Sequence, residues 1–169
     1  MPVTSLDTSA KIWKQLPEAT RLRAAEAFWQ EEDGIDQQIE ALSLLARHMK
    51  ARPKFIAGLS NERRAKYLAA YPSMPDPLAA RLLVSYHLAH QRAMLRAFLD
   101  ALGLAHDNGL IADEHEQALP ASKLGPAAAT LDEQFPHADV TVYLSTLLIQ
   151  DPATWAELAE LPQVTRPLA

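Results

Sequence analysis

The sequence predicts an all-α protein: a single-domain irregular bundle, residues 1–169, of seven to nine helices around a long central helix at about 77–102. Three observations lead there. Apolar residues recur at three- and four-residue intervals through most of the chain, the period of a helix with one buried face. No stretch alternates convincingly as a half-buried strand would; Val140 to Tyr143 leans that way but runs on into a helical pattern. Finally, residues 76–103, DPLAARLLVSYHLAHQRAMLRAFLDALG, hold no Gly or Pro between a helix start signal and a stop signal.

That segment is the expected organising element. Asp76 suits an N-cap, where a carboxylate accepts from an unpaired N–H of the first turn. Pro77 follows at the first helical position, where a missing N–H costs nothing. Gly103 can take the left-handed conformation that closes a helix. A helix over 77–102 would span roughly 39 Å. Arg81, Ser85, Arg92 and Arg96 fall on one narrow stripe, and apolar side chains cover most of the remaining circumference. A helix apolar on nearly every side is expected to be enclosed by others.

The other elements follow in order. Residues 1–5 are expected to be loose. Asp7 or Thr8 can cap a short helix carrying Ile12 and Trp13. Pro17 starts a second helix, with Leu22, Ala25, Phe28 and Trp29 on one side. Asp33-Gly34 is a turn, and the third helix places Ile35, Ile39, Leu42, Ala46 and Met49 on one face. The short connection predicts that these two helices pair as an antiparallel hairpin. Pro53 ends the third helix, and Ser60 caps the next, which carries Tyr67, Leu68 and Tyr71. After Gly103 the pattern lapses into a long loop with an Asn108-Gly109 turn and room for one short helix around 111–119. Helices at 126–135 and 139–150 come next, and Asp151-Pro152 repeats the start signal of Asp76-Pro77 for a last one. Residues 163–169 read as a tail.

The totals exclude several chemistries. Cys is absent, which removes disulfides, thiolate zinc sites and a thiol nucleophile. No apolar run is long enough to span a bilayer, and the N-terminus has no apolar signal region. The expectation is a soluble cytoplasmic protein. The net charge of −5 hides an asymmetry: residues 1–100 carry 14 Lys and Arg against 11 Asp and Glu, whereas residues 101–169 carry 2 against 10. Nucleophile-elbow spacing and Gly-rich phosphate loops are missing, so the reading leans away from an enzyme.

Two constellations remain as candidate sites. His87 and His90, three apart on the central helix, could share a divalent metal, with Gln91 beside them and Asp107 and His115 supplied by the 106–116 loop. A bound water could then serve as a nucleophile. The competing reading gives each histidine an ordinary hydrogen-bond partner, and a lone HxxH is too common to call for a cofactor. The other constellation is basic: Arg47, Lys50, Arg52, Lys54, Arg63, Arg64 and Lys66 against Glu62 alone, with Phe55 and Tyr67 nearby. Clustered cations with aromatics suit phosphates and bases, but the overall acidity argues against a dedicated nucleic-acid binder. A solvated face is the plainer account of that run. The sequence therefore favours a non-enzymatic helical interaction protein, with a protein partner or a second copy of the chain as its counterpart and no membrane role. A metal- or small-ligand-binding bundle is the alternative.

Overall fold

Helix makes up 72% of the computed structural model, which describes residues 6–111 and 119–168, and the strands among them are two residues each. The all-α class is thus the one the periodicity predicts. By contact the chain divides into two compact units, Ser9–Ala89 and the combination of Met1–Thr8 with His90–Ala169.

The first unit contains α1 (Ser9–Gln15), α2 (Glu18–Gln30), α3 (Ile35–Met49), α4 (Pro53–Ala57), α5 (Asn61–Ala69) and α6 (Asp76–His90), the last ending at the boundary. Asp76 is helical itself, and its carboxylate accepts from the Ala10 N–H at 2.9 Å, so the expected cap of α6 caps α1 instead. Ser60 does cap α5, accepting from the Arg63 N–H. Gly34 sits at φ +91 ahead of α3, a left-handed position that suits glycine. The expected α2–α3 hairpin is not the main packing. Helix α2 packs chiefly on α5, and α3 packs on α4 and α5. The α2–α3 link is held by Gln38, whose amide donates to the Phe28 and Glu31 carbonyls. Ile12, Phe28, Leu45, Ile56, Leu68, Leu82 and Leu83 are fully buried here.

The second unit contains α7 (Arg92–Leu102), a hairpin of β1 (His106–Asp107) and β2 (Leu110–Ile111), α8 (Ala121–Gln134), α9 (His137–Gln150), a 3-10 turn (Ala156–Glu160) and α10 (Pro162–Thr165). Every residue from Val140 to Thr146 is buried, so the middle of α9 is enclosed on all sides. Phe98 of α7 meets Tyr143 of α9 edge-on at 5.7 Å and Trp155 at 6.0 Å.

The single helix expected over 77–102 is therefore two helices, broken at Gln91 (φ −126, ψ 23). Burial explains why. The buried residues of α6 centre on Leu78, Ala79, Leu82, Leu83 and Tyr86, those of α7 on Met94, Leu95, Phe98, Leu99 and Leu102. At about 100° per residue, the two stripes would lie roughly 160° apart on one continuous helix. What reads as one helix apolar all round is two helices, α6 buried over a broad arc within its own unit and α7 buried on one face within its own.

Other boundaries also differ. Helix α8 starts at Ala121 and runs through Pro126, rather than starting there. Pro126 lies early in α8, where the ring and the lost N–H disturb only the first turns. The segment after Asp151 is a 3-10 turn instead of an α-helix: the Asp151 carboxylate accepts from the Thr154 N–H, and Pro162 forces extended backbone on Leu161. The short helix expected around 111–119 falls mostly outside the described residues, as do residues 1–5.

Candidate functional site

His87 and His90 end α6 in contrasting surroundings. His87 is 6% exposed, and burial pushes its pKa down to about 4, so the ring is neutral. His90 is exposed. Gln91 is half-buried and precedes α7, where its carbonyl accepts from the Leu95 N–H. Asp107 is exposed on β1, and His115 lies outside the described residues. Among the described residues, no three His, Asp or Glu side chains form a group able to hold a metal.

The arginine stripe resolves into structural contacts. Arg81 makes a 2.5 Å ion pair with Glu31. Arg92 donates to the Asn108 carbonyl at 2.6 Å, and Arg96 donates to the Asn108 side-chain oxygen at 3.0 Å. Both hold the hairpin turn, in which Asn108 (φ 48) and Gly109 (φ 92) give the mirror-image geometry that an Asn-Gly pair favours.

Two carboxylate–histidine pairs carry no helical spacing that marks them in the sequence, because each joins a helix to the turn or helix that follows it. His106 Nε2 lies 2.7 Å from Asp100, while its Nδ1 accepts from the Gly109 N–H. Both ring nitrogens are committed, which leaves none to serve as a base. His137 Nδ1 lies 3.0 Å from Asp132, a carboxylate also gripped by Arg166. Arg166 further donates to the Thr141 hydroxyl and the His137 carbonyl. Residues 163–168, read as a tail, are drawn onto α8 and α9 by this arginine.

A cavity of about 200 Å³ in the second unit is lined by Leu104, Ile111, Leu119, Leu147 and Trp155, with Gln150, Asp151 and Thr154. It is smaller than the ~300–1,000 Å³ of typical ligand sites. Its carboxylate is already used on the Thr154 N–H.

The basic stretch is mostly open to solvent. Arg47, Lys50, Arg52, Lys54, Arg63 and Lys66 are all exposed. Arg64 is the exception. Its guanidinium lies 5.0 Å over the Trp29 ring and donates to the Ala57 carbonyl and the Asn61 side chain, so it serves packing. Lys66 lies 3.4 Å from Glu62, a pair in open solvent. Two aromatics stand among these cations: Phe55 is 58% exposed and Tyr67 39%. On α5, Arg63, Lys66 and Tyr67 share the outward face, opposite the buried Ala65, Leu68 and Ala69.

Comparison with protein-family models, curated proteins and solved structures gave no match. Among the described residues, no helix is long and apolar enough to cross a membrane.

Proposed function

We propose that this chain is a non-enzymatic, soluble cytoplasmic binding protein that takes an acidic segment of a protein partner on the outward face of α4 and α5. The observation that carries this reading is Phe55, a large apolar ring left 58% exposed in a segment, 52–66, whose exposed cations are Arg52, Lys54, Arg63 and Lys66 and whose one acid is Glu62. Aromatics and arginines are the residues most enriched at protein interfaces. Cations around an apolar anchor match a segment that alternates acids with large apolar residues. A net charge of −5 argues against a dedicated nucleic-acid binder, whose domain as a whole is basic.

The test is fluorescence-anisotropy titration of the full chain with a synthetic peptide alternating Glu with Leu and Phe, and with single-stranded oligonucleotide in parallel. Saturable peptide binding that weakens at least tenfold in Phe55→Ala and in Lys54→Glu supports the reading. Tighter binding of the oligonucleotide transfers the face to nucleic acid, and binding of neither removes it.

A second reading, the metal- or small-ligand-binding bundle, is supported by His87, since a buried neutral imidazole is the form that binds metal. Elemental analysis of untagged protein beside His87→Ala tests it; a stoichiometric metal lost in the variant is the supporting outcome, and wild-type protein that retains no added metal on dialysis ends it.

A further inference from the structure

Helix α3 carries a second exposed face that the peptide reading does not use. Ile35 and Ile39 are 61% and 55% exposed on it. The apolar face that the sequence shows is covered only in its C-terminal part: Ala46 is buried and Leu42 and Met49 are half-buried, while the two isoleucines are left bare. Along the flank of that strip, at about 100° per residue, Asp36, Glu40, Ser43 and Arg47 fall in one line. Lys50 closes the helix beyond them. Among the described residues, Asp36, Glu40, Arg47 and Lys50 make no ion pair within the chain.

This order is its own complement when reversed. Measured from Ser43, Glu40 lies about 4.5 Å toward one end and Arg47 about 6 Å toward the other. Two copies of α3 laid antiparallel about Ser43 set each Glu40 against the other's Arg47, and each Asp36 against the other's Lys50. The small, half-buried Ser43 at the crossing lets the helices approach closely. Ile39 then lies beside the aliphatic stem of the partner's Arg47 and Ile35 beside that of the partner's Lys50, stems that cover apolar surface while their charges stay wet. Such an arrangement is an isologous two-fold interface, the commonest kind among homo-oligomers.

We propose that α3 is a self-association surface whose occupant is α3 of a second copy of this chain. An acid-first, base-last helix also suits its own dipole. The dipole accounts for the order of signs but not for two isoleucines left bare beside them. One helix about 22 Å long offers less than the ~800 Å² per partner of a standard interface. The dimer is therefore concentration-dependent.

Sedimentation equilibrium from low micromolar to near-millimolar protein reads it directly. Wild-type chain is expected to pass from monomer to dimer over that range. Arg47→Glu with Lys50→Glu, and separately Asp36→Lys with Glu40→Lys, should each stay monomeric. An equimolar mixture of the two should restore a dimer, because every flank charge then meets its opposite. Ile39→Gln leaves the charges alone and is expected to weaken the dimer at least tenfold with an unchanged melting curve, so it decides the matter if a charge-reversed chain does not fold. A wild-type chain that stays monomeric throughout overturns the proposal. So does a wild-type dimer that Ile39→Gln leaves intact, or a failure of two folded charge-reversed chains to pair.

Discussion

Arg166 sets both terminal nitrogens of its guanidinium on the Asp132 carboxylate, at 2.9 and 2.7 Å, and so ties the end of the chain to α8. The pair is mostly shielded, with 28% and 16% of the two side chains exposed. A fork of this kind is geometrically specific. Arg166→Ala leaves a shielded carboxylate without its main partner and is expected to cost about 1–3 kcal/mol. In a chain of this size that is a fall of several degrees in Tm. Arg166→Lys should recover only part of it, because an ammonium cannot make the fork. The pH dependence has a definite sign. Hydrogen bonding from Arg166, ahead of that from His137, holds the Asp132 carboxyl below its ordinary value of 3.8. A depressed carboxylate contributes stability above the unfolded value and loses it as pH falls through the folded one. The Tm gap between wild type and Arg166→Ala should thus be full near neutrality and shrink below about pH 4. A gap that persists unchanged in acid would show that the fork is not its source.

Gly109 is the second fixed point of the same unit. Its φ of +92 is already unfavourable for any side chain, and a Cβ there would lie 2.9 Å from the Leu95 Cβ. Gly109→Ala should therefore lower stability by about 1–3 kcal/mol through strain and overpacking together. Asn108→Gly, which keeps the turn geometry and removes the acceptor of Arg96, should cost less. Denaturant midpoints for the two variants check the order; equal midpoints would mean that the turn is not docked on α7 as described.

The all-α class was legible because periodicity is a local property, written once per turn of helix. Packing partners were not. Ser60 as the cap of α5 could be read from its neighbours, whereas Asp76 capping α1 joins residues 66 positions apart. The segment 76–103 misled for a related reason: two stripes on different sides of one run sum to a helix that looks apolar everywhere, and no Gly or Pro marks the break at Gln91. At the sites, the basic stretch was visible as composition, but only the structure separates Arg64, folded onto Trp29, from the exposed cations around Phe55 and Tyr67. The pairs of His106 with Asp100 and of His137 with Asp132 carry no spacing that marks them in sequence, since both depend on how a loop or helix junction closes.

Leu83 tests the importance of α6. It is fully buried, and Leu83→Asp places a carboxylate where water cannot reach it. The substitution should unfold or aggregate the protein, an effect above about 4 kcal/mol. Leu83→Ala, which only leaves a cavity, should cost about 2–5 kcal/mol and still fold. Circular dichroism melts of both variants give the comparison. A cooperative melt of Leu83→Asp near the wild-type temperature would mean that α6 packs otherwise than its burial indicates.

His87 should make the whole fold sensitive to mild acid. Its imidazole titrates near 6.5 when the chain is unfolded and near 4 when burial denies it solvent. Between those values the unfolded chain holds a proton that the folded chain does not. Stability is therefore complete above about pH 6.5, falls by about 1.4 kcal/mol per pH unit toward pH 4, and levels off below. Across the window the loss is roughly 3 kcal/mol, a sizeable share of the 5–15 kcal/mol that holds a typical domain folded. Other groups titrate in the same range, so the informative quantity is the difference between wild type and His87→Gln, which keeps polar atoms at the site but binds no proton. Urea midpoints measured from neutrality to about pH 4.5 should show the wild type losing ground steadily relative to the variant. Parallel curves would mean that the ring takes up its proton inside the folded protein, and hence that a partner inside the core offsets the cost of burying its charge.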